Sequence, residues 1–210
     1  MISVVTTDVS RPHAPPNPRR VAVEAALAER KAAYGPALDF LNDRAGDLAR
    51  TVDLIAARLR AGGRVLVAGN GGSAAEAQHF ATELVGRFKR ERDPYAVLAL
   101  TADTSILTAL ANDYGYEEVF AREVGAYGRP GDVLVLFSTS GESENLVRAA
   151  ETGHASGIAV VAMTGDRPNR LVDRADIGLA MPSTDTPLTQ ELHLIVLHVL
   201  CDLVEQELSR

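Results

Sequence analysis

Short apolar runs rich in β-branched residues, each followed by a polar loop and a helical stretch, recur along this chain of 210 residues. The first run is residues 64–68 (RVLVA), and the pattern is repeated at residues 95–100, 133–137 and 158–163, with a last short strand at residues 177–181. Strands that alternate with helices are joined by right-handed crossovers, so they form a parallel sheet with helices on both faces. The sequence therefore predicts an α/β fold, a three-layer αβα sandwich around a parallel five-stranded sheet.

Helical segments flank this alternation at both ends. Residues 21–61 carry alanine and leucine at three- and four-residue spacing, with one interruption at residues 35–36 and a stop at residues 62–63. Residues 187–208 are predicted as a long amphipathic helix, with a proline where the first helical turn tolerates it. The helices inside the alternation are expected from about Ser73, around Ile106, through Ala150 and near Leu171.

The bulk composition indicates a soluble single domain behind a tail. Residues 1–20 contain four prolines and no continuous apolar segment of a signal peptide, so they are predicted as a flexible tail. Residues 21–210 are predicted as one domain with an N-terminal helical extension. The apolar runs elsewhere are too short or too interrupted to span a bilayer, and the lone Cys201 cannot form an intrachain disulfide. We therefore expect no membrane association and a reducing, cytoplasmic location.

The charge of the chain excludes one class of partner. A formal net charge of −7 and a pI near 5.2 argue against nucleic-acid binding, which requires clustered positive charge facing phosphates. A small anionic substrate is compatible with this charge, because one phosphate group needs only a local site.

Two strand-to-helix loops have compositions suited to ligands, which in open parallel sheets bind beyond the carboxyl ends of the strands. Residues 69–73 (GNGGS) allow close backbone approach, although the same residues also make an ordinary tight connection. Residues 138–143 (STSGES) place four hydroxyls at a helix N-terminus, which favours a phosphate monoester over an ordinary serine cap. Neither loop has the Gly-Lys-Ser/Thr ending of a P-loop or a GxGxxG fingerprint. A phosphosugar is therefore preferred, and no nucleotide cofactor is expected.

Histidine, glutamate and glutamine side chains on two helices could supply acid–base chemistry. His79 and Glu83 are four residues apart, and Gln190 and His198 are eight apart, so each pair lies roughly on one helix face. Ketose–aldose isomerisation needs a base for a carbon-bound proton and a second group for the protons on oxygen. The alternative interpretation is that both histidines, on mostly apolar helices, are hydrogen-bonded core residues.

Four segments, in this order, resemble those of SIS-domain phosphoheptose isomerases: GNGGSAAEAQHFATEL (residues 69–84), ANDYGYEEVF (111–120), GDVLVLFSTSGES (131–143) and TQELHLIVLH (189–198). The likeness covers nearly everything after the proline-rich tail. It implies the flavodoxin-like SIS fold and conversion of sedoheptulose 7-phosphate to D-glycero-D-manno-heptose 7-phosphate through an enediol, a step of heptose biosynthesis. It also implies a homotetramer in which neighbouring subunits complete each active site.

The resemblance further implies roles for individual residues. Glu83 would be the base and His198 its acid/base partner. Family members can hold zinc, here one ion per subunit, with residues matching His79, Glu83, Gln190 and His198, and such oxygen and imidazole ligands suit zinc. The implied substrate-binding residues are Asn70, Gly71, Gly72, Ser73, Glu83, Asn112, Asp113, Ser138, Thr139, Ser140, Ser143 and Gln190.

Three alternatives remain at this point. A family paralogue is a scaffold that binds the bacterial replication initiator, but it has lost the positions matching Glu83 and His198 and carries a basic residue where Ser140 stands. Phosphosugar-sensing SIS modules are usually fused to a helix-turn-helix, which the acidic, alanine-rich N-terminal residues do not resemble. The third alternative is an isomerase of another ketose phosphate. Residues 187–189 (Pro-Leu-Thr) depart from the family pattern and bear on substrate specificity.

Overall fold

The structure is a computed structural model that describes residues 17–166 and 168–209. The described residues form two compact units, one up to Pro36 and one from Ala37 onward. The helices are α1 (Pro18–Asp43), α2 (Ala45–Arg60), α3 (Gly72–Val85), α4 (Thr104–Tyr114), α5 (Val119–Tyr127), α6 (Glu144–Ala155) and α7 (Thr186–Leu208). The strands are β1 (Val65–Gly69), β2 (Val97–Ala99), β3 (Val133–Ser138), β4 (Ala159–Thr164) and β5 (Ile177–Ala180).

The five strands form one parallel sheet in the order β2-β1-β3-β4-β5. This is the flavodoxin-like order, so the predicted fold class is confirmed. Strands β1 and β3 are buried along their whole length, as expected for central strands of a sheet covered on both faces. Strand β2, at the sheet edge, is shorter than the predicted residues 95–100.

The two faces of the sheet carry different helices. On one face, α5 and α6 cover a cluster that includes Leu66, Leu134 and Val160, which alternate along β1, β3 and β4 with residues that point the other way. On the other face, α2, α3 and α7 pack against the sheet and against one another. Burial of each large apolar side chain in these layers contributes about 1.5–3 kcal/mol.

The predicted break in the first helical segment is in a different place. Helix α1 continues through Gly35 and Pro36, and the chain turns instead at Arg44, before α2. Pro36 cannot donate to the carbonyl of Ala32, but Ala32 is exposed and its carbonyl can bond water, so the helix is not forced to end. Residues 1–16 of the predicted tail lie outside the described residues, and α1 already begins at Pro18.

The helix predicted near Leu171 is not formed, and a single 3₁₀ turn, Val172–Arg174, stands in its place. The backbone N–H of Leu171 donates to the carbonyl of Gly141, and the side chain of Asn169 accepts from the N–H of Val172. The first bond ties the segment to the loop after β3, and the second is a local bond that competes with helical hydrogen bonds. Helix α5 is an element that the sequence interpretation did not include.

Helix α7 begins within one residue of its predicted start. Asp185 caps it by accepting from the N–H of Leu188 at 3.1 Å, and Pro187 occupies the first turn. By length and composition alone, α7 could cross a membrane. It packs against α2, α3 and β4, and nine of its residues are buried, so it forms part of the packed core of this fold.

Candidate active site

The loop after β3 is fixed by hydrogen bonds that two of its own hydroxyl groups accept from backbone N–H groups. Ser138 Oγ accepts from the N–H of Gly141 at 3.0 Å, and Ser140 Oγ accepts from the N–H of Glu142 at 3.2 Å. Each hydroxyl that accepts in this way keeps its own proton for a ligand oxygen. Gly141 has φ +68°, and a Cβ at this position would lie 2.1 Å from Asn169, so the turn requires glycine.

Ser143 stands at the N-terminus of α6 but makes no capping hydrogen bond with its side chain. The interpretation of this serine as an ordinary cap is therefore wrong. A cavity of about 250 Å³ lies at this point, next to the N-termini of both α3 and α6, where backbone dipoles favour an anion. It is lined by Asn70, Gly72, Ser73, Phe137, Ser138, Thr139, Ser140, Ser143, Leu146, Thr186 and Gln190. We call it the hydroxyl cavity.

Asn70 links the glycine-rich loop after β1 to the start of α6, which follows the hydroxyl-rich loop. Its side-chain amide exchanges two hydrogen bonds of 2.9 Å with the amide of Asn145 on α6, and its Oδ1 also accepts from the hydroxyl of Tyr116. The sequence interpretation missed both partners. The position of Asn145, two residues after the STSGES run, is the signal that could have found it.

Helix α7 reaches the hydroxyl cavity by packing closely on α3. A Cβ on Gly72 would lie 2.2 Å from Nε2 of Gln190, so only glycine lets that side chain cross the start of α3. Gly71, just before α3, has φ +56° and is not among the residues that line the cavity. Ser73 is buried and does line it.

A second cavity of about 300 Å³ adjoins the first. It is lined by Gly72, Ala75, Glu76, His79, Gln190, Glu191 and Leu194, and we call it the histidine cavity. The two cavities share Gly72 and Gln190, so one ligand could extend from the hydroxyls to His79. Glu76 is a lining residue that the sequence interpretation did not single out.

His79, Glu83 and His198 form one cluster between α3 and α7. Nε2 of His79 lies 2.9 Å from Oε1 of Glu83 and 3.3 Å from Nε2 of His198. Phe88 stacks on the ring of His198, with centroids 5.5 Å apart. Burial, and secondarily the proximity of His79, lowers the pKa of His198 below its ordinary value of 6.5, although Glu83 acts in the opposite direction.

The donor atoms of this cluster fit a metal ion. Nε2 of His79 faces two partners, but one ring nitrogen offers either a single proton or a single lone pair, so it cannot satisfy both. A cation would accept lone pairs from both imidazoles and the carboxylate, whose ligand atoms lie within 4.8 Å of one another. Gln190, the fourth predicted ligand, lines the histidine cavity together with His79.

Comparison with known proteins identifies the family. A family model of the SIS domain matches residues 36–165. A phosphoheptose isomerase of Rhodospirillum rubrum is 48% identical over 168 residues, which are 80% of this chain and 89% of that protein. The solved phosphoheptose isomerase GmhA of Neisseria gonorrhoeae has a TM-score of 0.81 and 38% identity, over 90% of this chain and 99% of that chain. This chain belongs to the phosphoheptose isomerase family of SIS-domain proteins.

Membership of the phosphoheptose isomerase family confirms the predicted family and the predicted enzyme class, an isomerase. A second solved member, from Francisella tularensis, has a TM-score of 0.78 at 34% identity, over 86% of this chain and 98% of that chain. The relatives named above give no support to the scaffold or sensor alternatives.

Two predicted residues lie apart from the cavities of this phosphoheptose isomerase chain. Asn112 and Asp113 are exposed on α4, a helix without a buried residue, and the amide of Asn112 donates to Asp113 Oδ1 at 2.8 Å. Neither residue lines the hydroxyl cavity or the histidine cavity. Glu83 and His198 line neither cavity either, but both contact His79, which does, whereas Asn112 and Asp113 contact none of these groups.

The segment that follows α3, residues 88–92, is anchored beside the cluster of His79, Glu83 and His198 by a buried carboxylate of α7. The buried carboxylate of Glu205 accepts from the backbone N–H groups of Phe88, Lys89 and Arg90 and from Nε of Arg92. Burial raises the pKa of Glu205, but the hydrogen bonds lower it by more. The net pKa therefore lies below the ordinary value, and the carboxylate is ionised at neutral pH. The hydrogen bonds fix Phe88 against His198. The sequence interpretation did not foresee this support, because it joins residues far apart in the chain.

Proposed function

We propose that this phosphoheptose isomerase converts sedoheptulose 7-phosphate to D-glycero-D-manno-heptose 7-phosphate. The observation that carries the proposal is the shared wall of the two cavities at Gly72 and Gln190. The hydroxyl cavity suits the phosphate at one end of an extended sugar, and the histidine cavity suits the reacting carbons at the other. Among the residues that the structure describes, no lysine or arginine lines either cavity, which accords with an anion held by hydroxyls and helix N-termini.

In this proposal Ser138, Thr139, Ser140 and Ser143 donate to the phosphate oxygens. Hydrogen bonds to a charged group contribute about 1.5–3 kcal/mol each where they are buried. Anchoring the phosphate restricts the far end of the sugar to the histidine cavity, which lowers the entropic cost of bringing the reacting carbons to the acid–base groups.

Glu83 is the proposed base. His79 engages Oε1 of Glu83, and Oε2 has no hydrogen-bond partner among the described residues, so it is available to a substrate proton. Glu83 would remove the proton from C1 of the ketose, giving an enediol, and deliver a proton to C2. The hydroxyl proton on O1 leaves and O2 gains one, so the ketose and the aldose have the same composition.

His198 is the proposed partner for the oxygens. Because its pKa lies below 6.5, the imidazole is neutral at pH 7 in the metal-free site and can there accept a proton from one sugar oxygen before donating to the other. Its ring is held by Phe88 and lies next to His79, so it has a defined orientation toward Glu83.

We propose zinc as the metal of the cluster. His79, Glu83 and His198 would hold it with Gln190, a set of imidazole and oxygen ligands that zinc accepts. When bound, zinc would polarise the substrate carbonyl as a Lewis acid.

We also propose that the chain forms a homotetramer in the cytoplasm. Exposed apolar side chains on α1 and α7, among them Val23, Leu27 and Leu203, support burial against other subunits. Asn112 and Asp113 would then serve the site of a neighbouring subunit. Cys201 is free and buried, and burial raises the pKa of its thiol, which accords with a reducing compartment.

The substrate is tested by incubating the protein with sedoheptulose 7-phosphate and, separately, with pentulose and hexulose phosphates, and by following aldose formation by NMR. The proposal expects the heptulose phosphate to give product and the shorter ketoses to react slowly. Equal or faster reaction of a pentulose phosphate would contradict the proposed substrate while leaving the isomerase class intact.

The base is tested with Glu83→Gln, which keeps the shape of the side chain but cannot accept a carbon-bound proton. We expect normal folding and substrate binding, with turnover lower by about 10²- to 10⁴-fold. Glu151→Gln, at an exposed position of α6, is the matched control and should keep wild-type turnover. Metal content and melting temperature are measured beside turnover, because loss of zinc would separate a ligand role from proton transfer. Near wild-type turnover, or undiminished exchange of substrate hydrogen with deuterated water, would refute Glu83 as the base.

A further inference from the structure

A buried carboxylate and a buried imidazole join the two helices that carry the acid–base cluster. Oε2 of Glu76, on α3, lies 3.4 Å from Nδ1 of His193, on α7. Glu76 is 8% exposed and His193 is fully buried. Neither residue has a part in the proton transfers described above, although Glu76 lines the histidine cavity.

The surroundings of His193 determine where its protons are. Nε2 of His193 lies 3.3 Å from the backbone carbonyl oxygen of Thr164, at the end of β4. A carbonyl only accepts, so Nε2 carries a proton. Nδ1 lies 3.4 Å from a carboxyl oxygen but outside hydrogen-bond geometry, and without a proton both groups would be buried acceptors with no partner among the described residues, so the pair holds one further proton, on Nδ1 or on the carboxyl group of Glu76. The pair is neutral as a whole whichever of the two groups holds that proton.

This pair is poorly explained as a device for stability. Neither oxygen of Glu76 has a hydrogen-bond partner among the described residues. Burial of two charged groups with so few partners costs free energy, and replacing such pairs by apolar residues is often neutral or stabilising. Phe137 packs edge-on against His193, so an apolar side chain would have suitable neighbours here.

The location of the pair suggests what it does instead. Glu76 lies one turn before His79 on α3, and His193 lies one turn after Gln190 and five residues before His198 on α7. The link between Glu76 and His193 therefore falls between the contact of Gln190 with the start of α3 and the contact of His198 with His79. A sliding movement of α7 along α3 would separate these two buried polar groups, which costs free energy because Nδ1 and the carboxyl oxygens have no other partner among the described residues.

We propose that Glu76 and His193 are positioning residues, whose buried ion-pair contact fixes the register of α7 on α3 so that His198 meets His79 and Gln190 reaches both cavities. The proposal deepens the proposed isomerase function and rests on it for its kinetic consequence. The protonation state of His193, in contrast, follows from the geometry alone and can be tested without turnover.

The first test is NMR of the protein with ¹⁵N-labelled histidine. We expect His193 to show a protonated Nε2 and a second, exchange-protected proton that belongs to the His193–Glu76 pair. In Glu76→Gln, that resonance should disappear, because the amide N–H can donate to a neutral Nδ1. An unprotonated Nε2 in the wild-type protein would overturn the proposal. This result does not depend on isomerase activity, so a failure of the proposed function would be recognised separately.

The second test compares Glu76→Leu with Glu76→Gln. Leucine removes the link, and a displacement of about 1 Å at a catalytic group can lower turnover about 10²-fold, so kcat should fall by about that factor while KM changes little. Glutamine keeps a donor to His193 and should restore kcat to within a few-fold of wild type. Wild-type kcat in Glu76→Leu, or equal losses in both variants, would overturn the proposal.

A control separates positioning from general destabilisation. Glu123→Leu changes another buried carboxyl, on α5 at the opposite face of the sheet, and should alter the melting temperature without altering kcat. If kcat in the Glu76 variants merely follows the melting temperature, as a structural role would require, the positioning role is wrong.

Discussion

A buried carboxyl far from the cavities should make the stability of this protein depend on pH. Glu123, on α5, is 3% exposed, and its Oε1 has no hydrogen-bond partner among the described residues. Burial, with a smaller effect of Asp103, raises the pKa of Glu123 from 4.5 to about 7. The folded state thus binds this proton more tightly than the unfolded state. The resulting stability is fully present below pH 4.5 and is lost as the pH rises through about 7.

The size of the effect follows from the two pKa values. One pKa unit corresponds to about 1.4 kcal/mol, so ionised Glu123 costs the folded state up to about 3 kcal/mol at alkaline pH. Glu123→Gln removes the charge while nearly keeping the shape. We expect its free energy of unfolding at about pH 8.5 to exceed that of the wild type by about 1–3 kcal/mol, with the difference shrinking by about pH 5.

Urea unfolding followed by circular dichroism at both pH values measures this difference. Protein concentration is held constant, because subunit association would make the apparent stability depend on it. Glu151→Gln, an exposed control on α6, should show no pH-dependent change relative to wild type. A difference for Glu123→Gln of the same size at both pH values would refute the argument, because it would arise from packing and not from ionisation.

Three further predictions concern the site and the assembly. Ser140→Ala should weaken phosphosugar binding about tenfold or more without changing the fold, since one hydrogen bond to the phosphate is lost, and calorimetry with unchanged affinity would contradict this. Gly72→Ala would place a Cβ 2.2 Å from Gln190 Nε2, so it should displace that flexible side chain and lower turnover more than stability. Unaltered kinetics would show that Gln190 is not needed there. Light scattering at micromolar concentration should give a tetramer mass, and an active monomer would disprove the assembly.

The parts of the fold that the sequence predicted well are those with a strong local signal. Strands β1 and β3 are continuous apolar runs, because helices cover both faces of the sheet. The compositions of the loops that follow them are compatible with only a few backbone conformations and a few kinds of ligand. Pro36 shows the limit of such signals. A proline usually interrupts a helix, but the consequence depends on whether the orphaned carbonyl is solvated, which the local sequence does not specify.

The features of the site that the sequence did not predict are contacts between distant segments. Asn145 pairs with Asn70, Glu205 collects the N–H groups after α3, and His193 meets Glu76 across two helices. Each residue type has a common local explanation, such as a helix surface or an apolar helix face, and so nothing in its own neighbourhood distinguishes it. His193 in particular stands in an apolar stretch of α7, whereas the structure shows it fully buried beside a carboxylate.

The site separates the groups proposed for binding from those proposed for catalysis, and this separation has kinetic consequences. The hydroxyl cavity is built from loops at the ends of two buried strands, so its geometry depends on the sheet. The cluster of His79, Glu83 and His198 depends instead on how α7 packs on α3.

The phosphate is bound equally in the ground state and the transition state, so damage to the loops should mainly raise KM. Damage to the helix packing acts on groups whose contribution is made in the transition state, and it should mainly lower kcat. Variants such as Ser140→Ala and Glu76→Leu should therefore affect different kinetic constants, even though the cavities share Gly72 and Gln190 as a common wall.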